Sequence, residues 1–442
     1  MMWRFALRTV RARCSAYIAS ACVIGTGSAL LTAFATLVES GIAAPQGESL
    51  AILAAIMGGW TVVVVAFGIA STVTLVVQQR TRELALIRTI GAVPRQVRAM
   101  VLVETSAIAL PALVVGLVPG IGLGAFLLDR MVALGVVDVQ IQPAVHGRTI
   151  AVSVAVSLLS TLAAAALAGR RAAMVPSVLA LAEASGAKAV AVTRAKSILG
   201  AVFLLMGFGS GIGTLCMADG PLLAAGAGPA CIGVAIGSAL VSPLVVAPLD
   251  RLAVLVPSSL ARLALRNLAA RADDASTVVG ALTLLIGIAT GTLYMQSTED
   301  SIADRAPDDI GPQFAAANYL VVAMIIAFCS ITVVNALIAA TWKRRREFGL
   351  LRLTSSTRRQ VLGMVAVEST AATLVAIVLG TIAAAATIVP YSIAKTGSPI
   401  PAGPWWMYPA IVSAGLSIAL TATASTSLRA TRMPPLVALT TP

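Results

Sequence analysis

The sequence predicts an all-α polytopic membrane protein: about ten transmembrane helices, arranged as two parallel four-span repeats with a two-span insert between them. Three observations carry this. Of the 442 residues, 58% are hydrophobic and only 11% are charged, and the mean hydropathy is +0.95. Apolar stretches of about 20 residues, the length needed to cross a bilayer as a helix, recur along the whole chain. Two parts of the chain also repeat the same charged segments in the same order, at offsets of 258 and 264 residues.

The composition is the first step. A soluble chain carries roughly 25% charged residues, because its surface has to be wetted. Here lipid must be much of the solvent. Ala, Val, Leu and Gly supply the apolar bulk, and small residues let helices approach closely in a bilayer. The net charge of +13 would suggest a nucleic-acid partner in a soluble protein, but these charges sit in short segments between apolar runs. That points to membrane topology, and no nucleic acid is expected. Cys14, Cys22, Cys216, Cys231 and Cys329 form no CxxC or Cys/His cluster. The last four read as small core residues. His146 is the single histidine, so neither a metal nor another cofactor is expected.

The spans are drawn at 17–38, 51–78, 99–127, 149–168, 197–217, 222–247, 276–296, 315–341, 361–390 and 407–428, with a tight turn at Asp219–Pro221. An even number puts both termini on one side. Of the 31 Lys and Arg residues, 27 fall in segments on that side, leaving Arg130, Arg148, Arg305 and Lys395 across the membrane. The positive-inside rule then predicts a plasma-membrane protein with both termini cytoplasmic. The basic start, the first apolar run and Ile42-Ala43-Ala44 imitate a signal peptide. The run is longer than such a segment needs, so it reads as a retained first span.

The repeat comes next. Arg4–Arg13 aligns with Arg262–Arg271 at offset 258, both as short basic amphipathic helices before a span. Such a helix is expected in the headgroup plane, with its apolar face in acyl chains and its arginines on anionic lipid. Arg82–Gly91 aligns with Arg346–Ser355 at offset 264, continuing as Arg95-Gln96-Val97 over Arg359-Gln360-Val361 and Glu104 over Glu368. The offset then returns to 258, with Arg171 over Arg429 and Pro176 over Pro434. Residues 1–185 and 256–442 are therefore read as repeats starting on the same side, with 186–255 as the insert. The chain is expected to be a pseudo-dimer.

The two charged segments, 79–97 and 342–361, are predicted as short amphipathic helices. Leu84, Ile87 and Ile90, with Leu86, supply the apolar positions of the first; Phe348, Leu350 and Leu351 do so in the second. Turns are expected at Gly91–Pro94 and Thr354–Thr357. Glu83 can pair simply with Arg80 or Arg88. Keeping the whole Arg-Glu order twice, however, suggests a cytoplasmic partner that touches both copies.

RTRELALIRTIGAVPRQV, with its second copy RRREFGLLRLTSSTRRQV and the glutamate that follows each, resembles the signature of the FtsX-like permease family, the MacB/LolE-type permeases of ABC transporters. It is similar in particular to the ten-span, two-repeat form of high-GC Gram-positive bacteria. The resemblance implies that these segments are coupling helices that dock on ATPase subunits. Arg82, Glu83, Arg88, Gly91 and Arg95 would form one docking site, and Arg346, Glu347, Arg352 and Arg359 the other. Ser355 stands where the family favours glycine, so the second turn departs from the pattern. The chain has no GxxxxGK[ST] phosphate loop. The ATPase is therefore expected as a separate chain, in two copies for two coupling helices, and this subunit is not expected to be an enzyme.

Between the first two spans of each repeat, only about Glu39–Leu50 and Ser297–Phe314 are left outside, too short for a domain. The expected function is ATP-driven export or membrane handling of an amphipathic or lipophilic substrate. The alternative is a mechanotransmitting subunit that regulates a cell-wall enzyme or senses antimicrobial peptides. A secondary carrier is disfavoured by the lack of charges near span centres. Glu299, Asp300, Asp304, Asp308 and Asp309 could attract a cationic substrate or form a solvated loop. Glu104 and Glu368 lie one to two turns into their spans, where a carboxylate marks function by default; pairing with Arg8 or Arg266 is the simpler, structural reading. Gly116, Gly120 and Gly124, with Gly380 over Gly116, read as a close-packing ridge.

Overall fold

A computed structural model describes residues 14–45, 47–89, 91–133, 141–174, 194–217, 221–303, 311–353 and 356–432. Among them the regular structure is helical throughout, with no strand. In chain order the helices are α1 (Cys14–Ala43), α2 (Glu48–Gln79), α3 (Thr81–Thr89), α4 (Pro94–Ala133), α5 (Gly147–Met174), α6 (Arg194–Thr214) and α7 (Pro221–Val246). There follow α8 (Leu249–Ala253), α9 (Ser259–Ala270), α10 (Ala272–Ala303), α11 (Gly311–Lys343), α12 (Arg345–Leu353), α13 (Arg358–Thr396) and α14 (Met407–Arg432).

Ten of these are long and apolar enough to cross a bilayer: α1, α2, α4 to α7, α10, α11, α13 and α14. They coincide with the ten spans read from the sequence, and several run well past them. Helix α4 has 40 residues and α13 has 39. At 1.5 Å per residue each is about 60 Å long, twice the hydrocarbon thickness, so each reaches beyond both membrane faces. Arg4–Arg13, Asp219 and Gly220, the Pro176 and Pro434 tails, and Asp304, Asp308 and Asp309 lie outside the described residues, while Pro221 begins α7.

The chain divides into two compact units. One comprises Met1–Ala187, Asp219–Ala225 and Leu293–Cys329; the other comprises Lys188–Ala218, Gly226–Thr292 and Ser330–Pro442. In the first unit α1 lies against α4 along the glycine ridge. A Cβ added at Gly116 would stand 2.3 Å from the Gly25 carbonyl oxygen, and one at Gly120 would stand 2.7 Å from that of Ala29. Gly124 meets Thr36 Cβ in the same way at 2.8 Å. In the second unit Gly380 of α13 plays this part against Ile286 and Gly287 of α10. With no water to drive helices together, backbone approach is what gives the contact its dispersion energy.

Many hydroxyls inside the bundle bond within it, as lipid favours. Along α1, Thr32, Thr36 and Ser40 donate to the carbonyls of Ser28, Thr32 and Thr36 at 2.8–2.9 Å. Ser40 Oγ also accepts the Ala144 backbone N–H at 2.9 Å, and Glu39 holds Arg148 through a pair of bonds at 2.7 and 3.2 Å. His146 stands 3.3 Å from the same carboxylate. The segment before α5 is thereby fastened to the end of α1. Cys231 and Cys329 are buried, as core residues should be, whereas Cys22 and Cys216 lie on exposed faces.

Helix α9 corrects one expectation. Ser258 caps its start, and Ala264, Leu268 and Ala269 are its buried face. Ala264 packs in a core with Phe348 of α12, Val361, Met364 and Val365 of α13, and Ala430 of α14. That face is covered by protein rather than by acyl chains, because α12 presents an aromatic ring to it.

Candidate functional site

Both short amphipathic helices predicted within 79–97 and 342–361 form, as α3 and α12, and each is held by the same device. Arg80 ends α2 and begins α3: its N–H reaches back to the Gln78 and Val77 carbonyls, and its own carbonyl accepts the Leu84 N–H at 3.0 Å. Its guanidinium then ties three elements together. Nε donates to Glu83 of α3 at 3.1 Å, and NH1 bonds Glu104 of α4. At offset 264 the arrangement recurs. Arg344 takes the Phe348 N–H on its carbonyl, donates to Glu347 at 3.2 Å, and grips both oxygens of Glu368 on α13.

Glu104 and Glu368 are almost fully buried. A carboxylate there is tolerated when paired and hydrogen-bonded; Arg344 serves both oxygens of Glu368, and Arg80 one oxygen of Glu104. The partners are Arg80 and Arg344 rather than the anticipated Arg8 or Arg266. Arg8 lies outside the described residues, and Arg266 faces Asp250 at 3.7 Å on the surface. Helix rotation places the nearest arginine, at the turn between span and coupling helix, over each acid.

The second copy is braced further. Arg271 bonds Glu347 at 2.6 Å. Burial by itself would raise the Glu347 carboxyl, but Arg344 and Arg271 outweigh it and hold it below the usual carboxylate range. Its contribution to stability is therefore present at neutral pH and is lost as acid protonates it. Arg352 donates to the Thr431 carbonyl at 2.9 Å, and Arg358 donates to Thr431 Oγ1 and the Leu428 carbonyl at 3.2 and 3.3 Å. Two cations thus complete the carbonyl end of α14, where the helix dipole favours them. Thr357 and Gln360 form a capping box that starts α13.

The site residues read from the sequence fall into two groups. Glu83, Arg88, Glu347 and Arg352 are half-buried. Gly91, Arg95, Arg346 and Arg359 are exposed. The side chains of Arg82 and Ile90, and the turn at Thr354-Ser355, lie outside the described residues. Gly91 has φ +110°, a conformation costly for any residue with a Cβ, and it lets the chain turn sharply into α4. Leu86 and Leu350, equivalent at offset 264, are 45% and 51% exposed, while their neighbours Leu84 and Phe348 are buried. Sequence reasoning offered Arg80 as a partner of Glu83, as the structure has it, and marked both leucines as apolar, but it found neither arginine as the partner of the buried acid nor either leucine as uncovered. The arginines had a signal: each lies three residues before its glutamate, at the repeat offset.

The copies differ inside. Beside Arg80 and Glu104 is a cavity of about 30 Å³, room for one or two waters, lined also by Ser20, Leu84 and Thr105. Ser20 Oγ is buried there with no hydrogen-bond partner. In the second copy the equivalents of Ser20 and Leu84 are Val278 and Phe348, both buried, and Arg344 stacks over the Phe348 ring at 5.3 Å. Leu84→Phe is expected to fill the cavity and stabilise the fold by about 1 kcal/mol, and Phe348→Leu to cost about as much. Thermal unfolding in detergent would measure both.

The family described as FtsX-like permease C-terminal matches residues 52–176 and again residues 319–435, together more than half of the chain. The chain belongs to the FtsX-like permease family. Each match holds one complete clamp: Arg80, Glu83 and Glu104 in the first, Arg344, Glu347 and Glu368 in the second. This FtsX-like permease is therefore a multi-pass membrane protein of the two-repeat form. Among curated protein sequences there is no significant match to it.

Proposed function

We propose that the chain is the permease subunit of an ABC transporter, and that α3 and α12 each dock one copy of a separate ATPase. One observation carries the reading most: the same three-residue clamp fastens each short helix to the following long span, with a leucine left uncovered beside it. A coupling element needs both properties, a surface for the partner and a stiff joint to the membrane. The buried arginine–glutamate pair supplies the joint, and at Arg344–Glu368, where both oxygens are held, it fixes angle as well as distance. A push on α3 or α12 would pass into α4 or α13, and through the glycine contacts into α1 or α10.

The docking surface in this reading is Leu86 with Arg95 on one side, and Leu350 with Arg346 and Arg359 on the other. Glu83, Arg88, Glu347 and Arg352 support it from behind. The repeats are 1–185 and 256–442, with 186–255 inserted, and both termini are cytoplasmic, on the side of the coupling helices. The short outer segments favour a substrate taken from the membrane, amphipathic or lipophilic, moved outward.

The test is affinity capture of the tagged chain from native membranes, with and without Leu86→Asp plus Leu350→Asp. These side chains are exposed, so the double variant should fold and elute as a single species. The wild type is expected to bring down a P-loop ATPase, and the variant to lose at least about tenfold of it, since a truncated hot spot costs about 2 kcal/mol. A wild type without ATPase removes the energy source. A variant that retains the ATPase in full moves docking away from these helices.

A further inference from the structure

We propose that the segment joining α7 to α9 is a binding surface for anionic lipid, set on the membrane face that carries α12. Leu252, Val254 and Leu255 are uncovered, the last two at 68% and 79% exposure. They are the outer side of a short structure, α8 and the turn after it, whose inner side is the buried Ala253. Three exposed arginines, Arg251, Arg262 and Arg266, surround them.

The placement follows from packing. Helix α9 shares a core with α12 through Ala264 and Phe348, so the segment stands at the same face as that helix. The span of α7 ends at Val246 and that of α10 begins at Ala272, which keeps everything between them close to the bilayer surface. The segment is also fastened to α9. Arg262 donates to the Val256 carbonyl at 3.3 Å, and Arg266 faces Asp250 at 3.7 Å. A guanidinium has five N–H groups, so both arginines keep donors for phosphate oxygens.

Charge and apolarity together select the occupant. Uncovered leucine and valine in a ring of arginine match the boundary between acyl chains and acidic headgroups. Most of the apolar face of α9 is covered by protein, with Leu263 left 47% exposed, so the inserted residues are chiefly Leu252, Val254 and Leu255. Because the segment is bonded to α9, and α9 to α12, lipid bound here acts on the second coupling helix. The binding itself does not depend on the ATPase reading.

The test places an environment-sensitive fluorophore at Leu255→Cys, in a chain whose five native cysteines are replaced by alanine. The labelled chain is reconstituted in nanodiscs of phosphatidylcholine, alone or with phosphatidylglycerol, and each contains spin-labelled lipid. The expected result is blue-shifted emission, quenched by the spin label and more strongly with phosphatidylglycerol. Each Arg→Gln change at 251, 262 or 266 is expected to weaken the phosphatidylglycerol effect about fivefold. Water-like, unquenched emission in both discs overturns the proposal, as does equal quenching in both. A shift that appears only when the ATPase is added would assign the surface to a protein partner instead.

Discussion

Replacing Arg344 by methionine is expected to destabilise the fold by about 3–5 kcal/mol, because it strands a buried carboxylate. Glu368 is almost fully buried, and Arg344 grips both of its oxygens. Without the guanidinium, the acid must either stay charged in an apolar site or take up a proton. Glu347 is spared, since Arg271 holds it at 2.6 Å. The double change Arg344→Met with Glu368→Leu should therefore recover most of the loss, because an apolar pair of similar volume carries no desolvation penalty. Thermal unfolding of the detergent-solubilised variants checks both. If the single change is mild, the clamp is not the joint between α12 and α13. If the double change restores neither stability nor yield, the stranded carboxylate is not the source of the loss.

Gly120→Leu is the second large effect, expected to cost about 3 kcal/mol, at the upper end for overpacking. The first added carbon would already stand 2.7 Å from the Ala29 carbonyl oxygen and from Thr32 Cβ. All three nearest obstacles, the Ala29 carbonyl oxygen and Cα and Thr32 Cβ, are backbone or β-carbon atoms of α1, which cannot swing aside as a side-chain tip can. The helices must separate, and the Thr32–Ser153 bond at 3.1 Å behind the contact is strained with them. Gly122→Leu is the control, since nothing lies within 4 Å of a Cβ at that position. It should be neutral, leucine being the better helix former. Expression yield and thermal unfolding in parallel separate a packing effect from a general intolerance of leucine in α4.

Much of the fold is legible without coordinates. Spans are set by the run of apolar residues against bilayer thickness, a one-dimensional quantity, so the ten helices lie where hydropathy puts them. The glycine ridge is legible too, because three small residues at four-residue spacing share one helix face. The clamp is not. Glu104 and Glu368 stand out as charges at membrane depth, yet their partners lie 24 residues upstream across a turn. Which arginine reaches them depends on the rotation of α4 and α13, and no periodicity reports that.

The short helices α3 and α12 divide along the same line. Their existence, amphipathic pattern and duplication follow from the sequence, and so does the glycine needed at Gly91. The pattern also marks Leu84, Leu86, Phe348 and Leu350 as apolar. Only packing decides that Leu84 and Phe348 go inward while Leu86 and Leu350 stay uncovered, since in a nine-residue helix the buried stripe is chosen by the neighbouring surfaces. Likewise the sequence makes Arg262–Arg271 basic and amphipathic, but the ring of Phe348 decides that the apolar side of α9 meets protein. Local composition fixes where the chain is helical and where it enters lipid. Which side chains pair, and which remain open to a partner, depends on contacts between segments far apart in the chain, and those exist only once the helices have packed.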